Sequence, residues 1–377
     1  MSLTAPRQNR CMSAVPASDT PLDQPDPAAL EHARQAGLRY VSDSDGGISR
    51  RRQGKGFSYR LPDGRPLRDA STLQRIRQLA IPPAYVDVWI CSNPRGHLQA
   101  TGRDARGRKQ YRYHPQWTAI RDGGKFDRII AFGQALPRLR RRLRTDLRLP
   151  GLPQRKVLAL VVAVMAETLI RVGNANYTRD NHSFGLTTLR NRHVEFARGG
   201  ARLQFRGKSG KPQTVQIDDP RLARLVRRCH QLPGHALFQY RDDDGQLQPV
   251  DSGQINAYLG EVMGTDFSAK DFRTWGATLA AFQQLAATPL PEPASERALA
   301  GCEKDAITIV AGRLGNTVSV CRKAYVDPVV LEGWRDGRVQ RYAASARGER
   351  QWEQAALRFL KAAHRSTRPS RSATRRS

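Results

Sequence analysis

Cysteine is scarce in this sequence, and the five cysteines that occur are not grouped. Cys11, Cys91, Cys229, Cys302 and Cys321 form no CxxC pair, and no histidine lies at the spacing of a zinc ligand set. The pattern therefore indicates neither a disulfide framework nor a zinc site. A reducing cytoplasm is the simplest compartment for such a chain.

Long hydrophobic runs are missing as well. An apolar stretch at 157–165 is soon followed by Glu167 and Arg171, so it falls short of the roughly 18 apolar residues that a membrane-spanning helix needs. The first 30 residues are polar, rich in proline and partly acidic, which is unlike a signal peptide. We therefore expect a soluble protein without a membrane partner.

Nucleotide and metal motifs are incomplete. Gly207-Lys208-Ser209 has the form of the end of a P-loop, but Arg202 stands where the motif requires glycine. The run at 242–245, Asp-Asp-Asp-Gly, lacks the downstream glutamate of a calcium loop and is typical of a hairpin turn. No two histidines are four residues apart. We therefore expect no nucleotide, metal or other cofactor.

Acidic side chains are few relative to basic ones. The 34 Asp and Glu residues stand against 63 Lys and Arg residues, which leaves a formal net charge of +29. Only ten of the basic residues are lysine, and arginine suits bidentate contacts with phosphate. A polyanion is therefore the first partner to consider. A ribosomal or membrane-surface protein would share this bulk charge, so the assignment needs particular residues.

The 377 residues are enough for two domains. Residues 1–27 are polar and rich in proline, so we predict that they are disordered. Residues 28–115 are predicted to form a small, mostly antiparallel β domain, interrupted by a helix at 71–79. Residues 116–362 are predicted to form a mainly α-helical catalytic domain, and 363–377, with five arginines and no acid, a disordered basic tail. The predicted fold class is α+β.

Apolar periodicity and turn residues locate the elements within these regions. In the first domain, β-like runs lie at 38–41, 54–59 and 84–90. The catalytic region contains a β insertion at 193–217 with turns at Gly199-Gly200 and Gly207-Lys208. Helices are predicted at 126–147, at 154–171 with a C-cap near Gly173, and at 219–231, 252–263, 268–286, 292–314 and 317–333.

Five residues toward the C-terminal half have the chemistry of phosphoryl transfer. They are Arg171, Lys208, Arg273, Asn316 and Tyr325, in that order. A tyrosine can be the nucleophile, since its phosphodiester keeps the bond energy and the step can be reversed. Arginine forks can clamp the non-bridging oxygens, asparagine can donate a hydrogen bond, and a lysine at a hairpin tip can protonate the departing 5′ oxygen.

Each of these residues also has an ordinary interpretation on its own. Tyr325 alone would be a packing residue, Lys208 a solvated turn lysine, and Arg171 the partner of Glu167 one helical turn earlier. The whole ordered series favours the catalytic interpretation. Arg322, one helical turn before Tyr325, is predicted to help the phenol lose its proton.

Five separated blocks between about residues 35 and 345 resemble the poxvirus-like type IB DNA topoisomerases, and in particular their bacterial branch. The blocks begin with Arg171-Val-Gly-Asn-Ala-Asn-Tyr177 and Phe184-Gly-Leu-Thr-Thr-Leu-Arg-Asn-Arg-His193. They continue with Gly207-Lys208, with Asp271-Phe-Arg273-Thr-Trp-Gly276 and with Arg322-Lys-Ala-Tyr325.

The resemblance implies a fold shared with tyrosine recombinases and a set of roles. Tyr325 is the implied nucleophile, Lys208 the general acid, and Arg171 and Arg273 the phosphate clamps. The implied reaction is cleavage of one strand of duplex DNA through a 3′-phosphotyrosyl link, swivelling and religation, without ATP or metal. A monomeric, cytoplasmic enzyme associated with the bacterial nucleoid is expected.

One position departs from many relatives, which have histidine nine residues before the nucleophile. This chain has Asn316 there, as the bacterial branch does, and asparagine can donate a hydrogen bond but cannot ionise. We therefore expect activity to survive and the pH profile to lack a histidine limb.

Further DNA contacts are implied outside the catalytic series. On the strand that ends the first domain, alternation places Tyr111 and Tyr113 on one face and Gln110 on the other. The residues predicted to bind DNA are Gln110, Tyr111, Tyr113, Tyr177, Arg322 and Lys323.

Two alternatives remain open from the sequence. A tyrosine recombinase would share the catalytic residues, but recombinases usually have histidine where this chain has Lys270, and a helical rather than β-rich first domain. A non-catalytic DNA-binding protein of the same fold is the second alternative, and the intact catalytic series argues against it.

Overall fold

The computed structural model describes residues 27–54, 56–105, 107, 109–174, 178–179, 182–197, 199–264 and 267–367. The chain divides into two compact units, with the boundary between Gly124 and Lys125. Tyr177 and the tail from residue 368 lie outside the described residues, as does most of the segment predicted to be disordered at the N-terminus.

The first unit is built on one five-stranded sheet in the order β2-β1-β3-β4-β5, and every pair is antiparallel. A small core of Ile48, Ile76, Val88, Ile90 and Ala100 joins the sheet to helix α2. The elements are α1 (Pro27–Gln35), β1 (Ile48–Gln53), β2 (Gly56–Arg60), α2 (Ala70–Gln78), β3 (Val86–Ile90), β4 (Leu98–Arg103) and β5 (Lys109–Tyr113).

Two details of this unit differ from the prediction. The run at 38–41 is not a strand and contributes only a single bridge, between Arg39 and Gly96. Strand β1 was missed because its sequence, Ile-Ser-Arg-Arg-Arg-Gln, shows no apolar alternation. Arg50 stabilises it in the extended form, since its guanidinium donates to the carbonyl of Tyr85 and stacks over the ring of Phe57 at 4.1 Å.

The second unit is mainly helical, and α4 lies at its centre. Most α4 side chains are buried, as expected of a helix that is apolar around most of its circumference. The helices are α3 (Pro115–Asp146, which contains the boundary), α4 (Gln154–Thr168), α5 (Pro220–His230), α6 (Ser252–Met263), α7 (Ala269–Ala286), α8 (Glu296–Leu314), α9 (Val318–Ala324), α10 (Pro328–Arg335), α11 (Arg338–Ala343) and α12 (Glu349–Thr367).

The predicted β insertion is confirmed as a three-stranded antiparallel sheet, β6-β7-β8. Its strands are β6 (Val194–Ala197), β7 (Gly200–Arg206) and β8 (Pro212–Ile217), and a separate pair comprises β9 (Gln239–Arg241) and β10 (Leu247–Pro249). The α+β fold class is likewise confirmed. No helix in the described part of the chain is both long enough and apolar enough to cross a membrane.

Beyond residue 290, three predicted boundaries were wrong. The helix predicted at 317–333 is two helices, because Asp327 caps α10 and Pro328 occupies its first turn. The helix predicted from residue 292 begins at Glu296, after the N-cap Ser295. Residues 363–367, assigned to the disordered tail, are the last turn of α12.

Candidate active site

Tyr325 lies at the break between α9 and α10. It is the C-cap of α9, and its backbone N–H donates to the Cys321 carbonyl at 3.0 Å. The break gives Tyr325 a non-helical backbone, with φ −133° and ψ −24°. Its side chain is half-buried against the core of the second unit.

Thr278 on α7 holds this break in place. Its hydroxyl donates to the Tyr325 carbonyl at 3.1 Å and accepts from the Asp327 N–H at 3.2 Å. Thr278 is 1% exposed, so both backbone groups are satisfied away from water. Asp327 in turn accepts from the Val329 N–H and lies 2.8 Å from Nε2 of His364 on α12. The segment that carries Tyr325 is therefore tied to two helices.

Arg273 lies on α7, five residues before Thr278, and is only 4% exposed. Its guanidinium carbon is 5.1 Å from the centre of the Tyr325 ring. Nη1 donates to the Leu169 carbonyl, and Nη2 donates to the Leu314 carbonyl at 2.9 Å. These bonds to the ends of two other helices fix the plane of the guanidinium beside the phenol.

Arg171 lies in an extended segment rather than on a helix, which corrects the prediction. Helix α4 ends at Thr168 and its C-cap is Leu169 in the left-handed conformation (φ 56°), not Gly173. The Arg171 carbonyl accepts from the Leu186 N–H at 2.9 Å, so the segment is anchored to a neighbouring loop. The tertiary structure holds the buried Leu169 in a conformation that non-glycine residues seldom adopt.

The interpretation of Arg171 as the helical partner of Glu167 was wrong. Oε1 of Glu167 instead accepts from the backbone N–H groups of Asp218 and Asp219, at 2.6 and 3.1 Å. Nη2 of Arg171 donates to Oδ1 of Asn316 at 2.6 Å. Glu167 is therefore committed to the segment after β8, and Arg171 is directed toward the end of α8.

Asn316 links the two arginines. It lies two residues beyond α8, after Gly315 in the left-handed conformation (φ 62°), and its N–H donates to the Ala311 carbonyl at 3.0 Å. Its Oδ1 also accepts from Nη2 of Arg273 at 3.4 Å. Nδ2 of Asn316 and Nε of Arg273 are buried donors, and neither has a hydrogen-bond partner among the described residues. Buried donors normally find a partner, so these two suit a bound anion.

The electrostatics of the site favour an ionised Tyr325. Burial raises the pKa of a phenol, but the charge of Arg273 and a hydrogen bond from it act in the opposite direction, as do the charges of Arg171 and Lys208. The net result is a pKa of Tyr325 below its usual value. Burial and the neighbouring charge of Arg171 lower the pKa of Arg273.

Lys208 lies in the turn between β7 and β8, as predicted, and is exposed. The turn is tight, since Ser209 and Gly210 both have positive φ, at 65° and 73°. The Gly207 N–H donates to the Lys211 carbonyl at 2.8 Å and closes the turn. The structure thus brings Arg171, Lys208, Arg273 and Asn316 together around Tyr325.

The sequence predicted that Arg322 helps Tyr325 lose its proton, but in the structure Arg322 pairs with a carboxylate. Its Nη2 lies 2.5 Å from a carboxylate oxygen of Glu303, which is 1% exposed and also pairs with Arg335. Its charge is thereby partly neutralised, and it is not among the groups that lower the pKa of Tyr325. Lys323 is exposed on the last turn of α9.

The first unit presents its two predicted tyrosines together. The rings of Tyr111 and Tyr113 on β5 are stacked, with centroids 6.0 Å apart, and both are exposed. Nε2 of Gln110 donates to the Asp104 carboxylate at 3.0 Å, on the opposite side of the strand. An exposed pair of parallel rings on a basic strand is suited to contact with nucleic acid.

The chain is similar in sequence to known DNA topoisomerases. Residues 114–339 match the family described as eukaryotic DNA topoisomerase I, catalytic core, and residues 56–104 match the family described as bacterial DNA topoisomerase IB, N-terminal domain. The DNA topoisomerase 1B of Acanthamoeba polyphaga mimivirus is 33% identical over 291 residues, which cover 76% of this chain and 87% of the relative. The DNA topoisomerase 1B of vaccinia virus (strain Copenhagen) is 23% identical over 242 residues, which cover 62% of this chain and 72% of the relative.

These matches and the fold place the chain among the enzymes that break and rejoin DNA strands. More narrowly, the chain belongs to the type IB DNA topoisomerases. The resemblance found in the sequence is thereby confirmed.

Two residues of the site were missed by the sequence interpretation. Thr278 and Glu303 form no motif, and their roles depend on contacts with residues 47 and 19 positions away. The spacing of five residues from Arg273 to Thr278 was visible, but nothing in it indicated a contact with Tyr325.

We expect Thr278→Val to slow DNA cleavage by about 10- to 100-fold, because displacing the nucleophile by even 1 Å is costly. The variant should also lose about 1–3 kcal/mol of unfolding free energy, since two buried backbone groups lose their partner. Thr278→Ser keeps the hydroxyl and is the matched control. Single-turnover cleavage and thermal unfolding measure the two effects, and a valine variant as fast as the serine variant would contradict the role.

Proposed function

We propose that this topoisomerase relaxes positive and negative supercoils by transient cleavage of one strand, with Tyr325 as the nucleophile. The observation that carries the proposal is the lowered pKa of a phenol beside two arginines and two buried donors that have no hydrogen-bond partner in the described part of the chain. The enzyme acts as a monomer on duplex DNA and needs neither ATP nor metal, because side chains supply every group the reaction requires.

Cleavage begins with loss of the Tyr325 proton to solvent, which the lowered pKa favours. The phenolate attacks the scissile phosphorus, a bond forms between the Tyr325 oxygen and phosphorus, and the bond to the 5′ oxygen breaks. Lys208 gives that oxygen its proton. Religation reverses each step: the 5′ hydroxyl attacks, Lys208 takes back the proton, and Tyr325 leaves.

Charge on the phosphorane oxygens is stabilised by Arg171, Arg273 and Asn316. Nε of Arg273 and Nδ2 of Asn316, which find no hydrogen-bond partner among the residues that the structure describes, can donate to non-bridging oxygens. Arg273 is already held by two backbone carbonyls, so little reorganisation is needed when charge develops. These contacts are stronger in the transition state than before it, which is the requirement for catalysis.

The remaining predicted residues contact DNA away from the reacting atoms. Tyr111 and Tyr113 present exposed rings to the duplex, with Gln110 on the same strand. Lys323, exposed beside the site, contacts backbone phosphate. Arg322 retains a contact with phosphate through the part of its side chain that faces solvent, and Tyr177 is proposed from the resemblance alone.

The match of residues 56–104 to a bacterial N-terminal domain supports a bacterial enzyme. Its substrate is chromosomal DNA, so we place it in the cytoplasm with the nucleoid.

Relaxation of supercoiled plasmid in EDTA without ATP tests the proposal. We expect both supercoil signs to relax and detergent to trap a covalent adduct on the 3′ end of the broken strand. Binding without relaxation or adduct would leave a DNA-binding protein. An adduct without relaxation over several turns would instead indicate a recombinase.

The pH dependence follows from the lowered pKa of Tyr325. The ionised form is the nucleophile, so single-turnover cleavage should rise with pH. The rise should have its midpoint below the usual tyrosine pKa of about 10 and level off above that midpoint. Because Asn316 cannot ionise, the pH profile should show no limb with a midpoint near the usual histidine pKa of about 6.5. Arg171→Gln should move the midpoint upward, since it removes a charge that lowers the pKa. An unmoved midpoint would mean that the profile reports another group.

A further inference from the structure

Lys208 can act as an acid only if its turn is held at a constant position relative to the other catalytic residues. The turn projects beyond the last pair of β7 and β8, Arg206 and Pro212. Its internal bonds, such as the one from the Gly207 N–H to the Lys211 carbonyl, define its shape. They do not connect it to α8 or α9, which position Asn316 and Tyr325.

Gln213, at the second position of β8, makes that connection. Its side chain lies against Gly207, where an added Cβ would be 2.8 Å from its Cγ. It also lies against Gly315, where an added Cβ would be 2.2 Å from its Oε1. Both positions are glycine, so the Gln213 carboxamide fits between the base of the Lys208 turn and the residue before Asn316.

The orientation of Gln213 is itself fixed. Its Nε2 donates to the Pro212 carbonyl at 3.1 Å, which holds the side chain beside the start of β8. Gly315 has φ 62°, and a side chain there would meet both the carboxamide and a strained backbone. The contact therefore depends on three residues, Gly207, Gln213 and Gly315.

We propose that Gln213 is a positioning residue, which sets Lys208 relative to Asn316 and thereby controls proton delivery to the departing 5′ oxygen. The proposal rests on the proposed role of Lys208 as general acid. Gln213 touches neither DNA nor the reacting atoms in this role. Its loss should slow the reaction only where the leaving group needs a proton.

A substrate with sulfur in place of the bridging 5′ oxygen tests this directly. A thiol has a pKa of about 8.5, against about 15.7 for water, so a thiolate departs without protonation. The phosphorus–sulfur bond then breaks while Tyr325 bonds to phosphorus as before. The duplex would carry a cleavage site first mapped with the wild-type enzyme, in matched oxygen and sulfur forms.

We expect Gln213→Ala to cleave the oxygen substrate about 10- to 100-fold more slowly and the sulfur substrate within about twofold of wild type, since general acid catalysis contributes only where a proton is transferred. Gln213→Met, which refills the same space, should recover most of the rate on oxygen. Gln204→Ala, an exposed glutamine on neighbouring β7, is the matched control and should behave as wild type on both substrates.

The outcomes separate this proposal from the one it rests on. Equal slowing of Gln213→Ala on both substrates, no slowing, or a methionine variant as slow as alanine would overturn the role of Gln213. Lys208→Ala is run in parallel: it should be slow on oxygen and rescued by sulfur. If Lys208→Ala is not rescued, the assignment of the general acid fails, whatever Gln213→Ala does.

Discussion

Tyr325→Phe should abolish both relaxation of plasmid DNA and the covalent adduct. The substitution removes one oxygen atom, which is the atom proposed to bond to phosphorus, and leaves a ring of the same shape against the core. Thr278 contacts the backbone carbonyl of residue 325, so the break between α9 and α10 should persist. DNA affinity should change by less than about threefold, because the cationic groups that contact phosphate remain.

The measurements are relaxation in EDTA, detergent trapping of adduct and equilibrium binding to a short duplex. Tyr342→Phe is the matched control, since Tyr342 is a half-buried tyrosine that packs edge-on against Phe359 on α12. It should relax DNA at the wild-type rate. An adduct formed by Tyr325→Phe would mean that another residue is the nucleophile and would refute the proposed mechanism.

Arg273→Lys should lower the cleavage rate by about 10³-fold or more, within the range of about 10³–10⁵ attributed to arginines at phosphoryl transition states. Lysine keeps the charge, but it cannot reach the Leu169 and Leu314 carbonyls and also donate through a planar fork. The position of the charge beside the Tyr325 ring would therefore be lost. The pKa of Tyr325 should rise, since Arg273 is the largest favourable influence on it.

Single-turnover cleavage across a range of pH separates these two consequences. The plateau reports transition-state stabilisation, and the midpoint reports the ionisation of Tyr325. Arg221→Lys is the control, because Arg221 is an exposed arginine that pairs with Asp219 at 3.5 Å, and such pairs contribute little. A lysine variant with a wild-type plateau would show that charge alone suffices at position 273.

At the break near Tyr325, the sequence contained a local signal for the start of a helix, but the apolar spacing outweighed it in the prediction. Apolar spacing predicted one helix over 317–333, yet Asp327-Pro328 is a typical N-cap and first-turn pair. The structure follows the cap, and Tyr325 becomes a C-cap residue with a non-helical backbone. A continuous helix would have left Thr278 without its contacts to Tyr325 and Asp327.

For Arg171, the sequence contained no signal of the conformation that the structure shows. The sequence around 169–173 is compatible with a helix that ends at Gly173, and the left-handed conformation of Leu169 has no local cause. The cause is tertiary: the Leu169 side chain is buried in the core, its carbonyl accepts from Arg273, and the following segment bonds to the loop at 186–187. No pattern within a single segment could have indicated this.

The amino-acid sequence was sufficient to identify the chemical groups and most of the elements. The basic charge, the ordered series from Arg171 to Tyr325, the antiparallel first unit and the β7–β8 turn with Lys208 all followed from residue types and spacing. The elements and turns depend on neighbours within a few residues, and the residue types and their order are read directly from the chain.

Which of those groups meet depends on the packing of distant segments, which the sequence patterns do not show. Arg171 and Asn316 are 145 residues apart in the chain, and packing of α4 and α8 against α7 brings them together. The same packing pairs Arg322 with Glu303 and buries Arg273 beside Tyr325. A charged side chain takes the partner that folding places within reach, and a buried carboxylate must be paired. Sequence spacing cannot distinguish between several such partners.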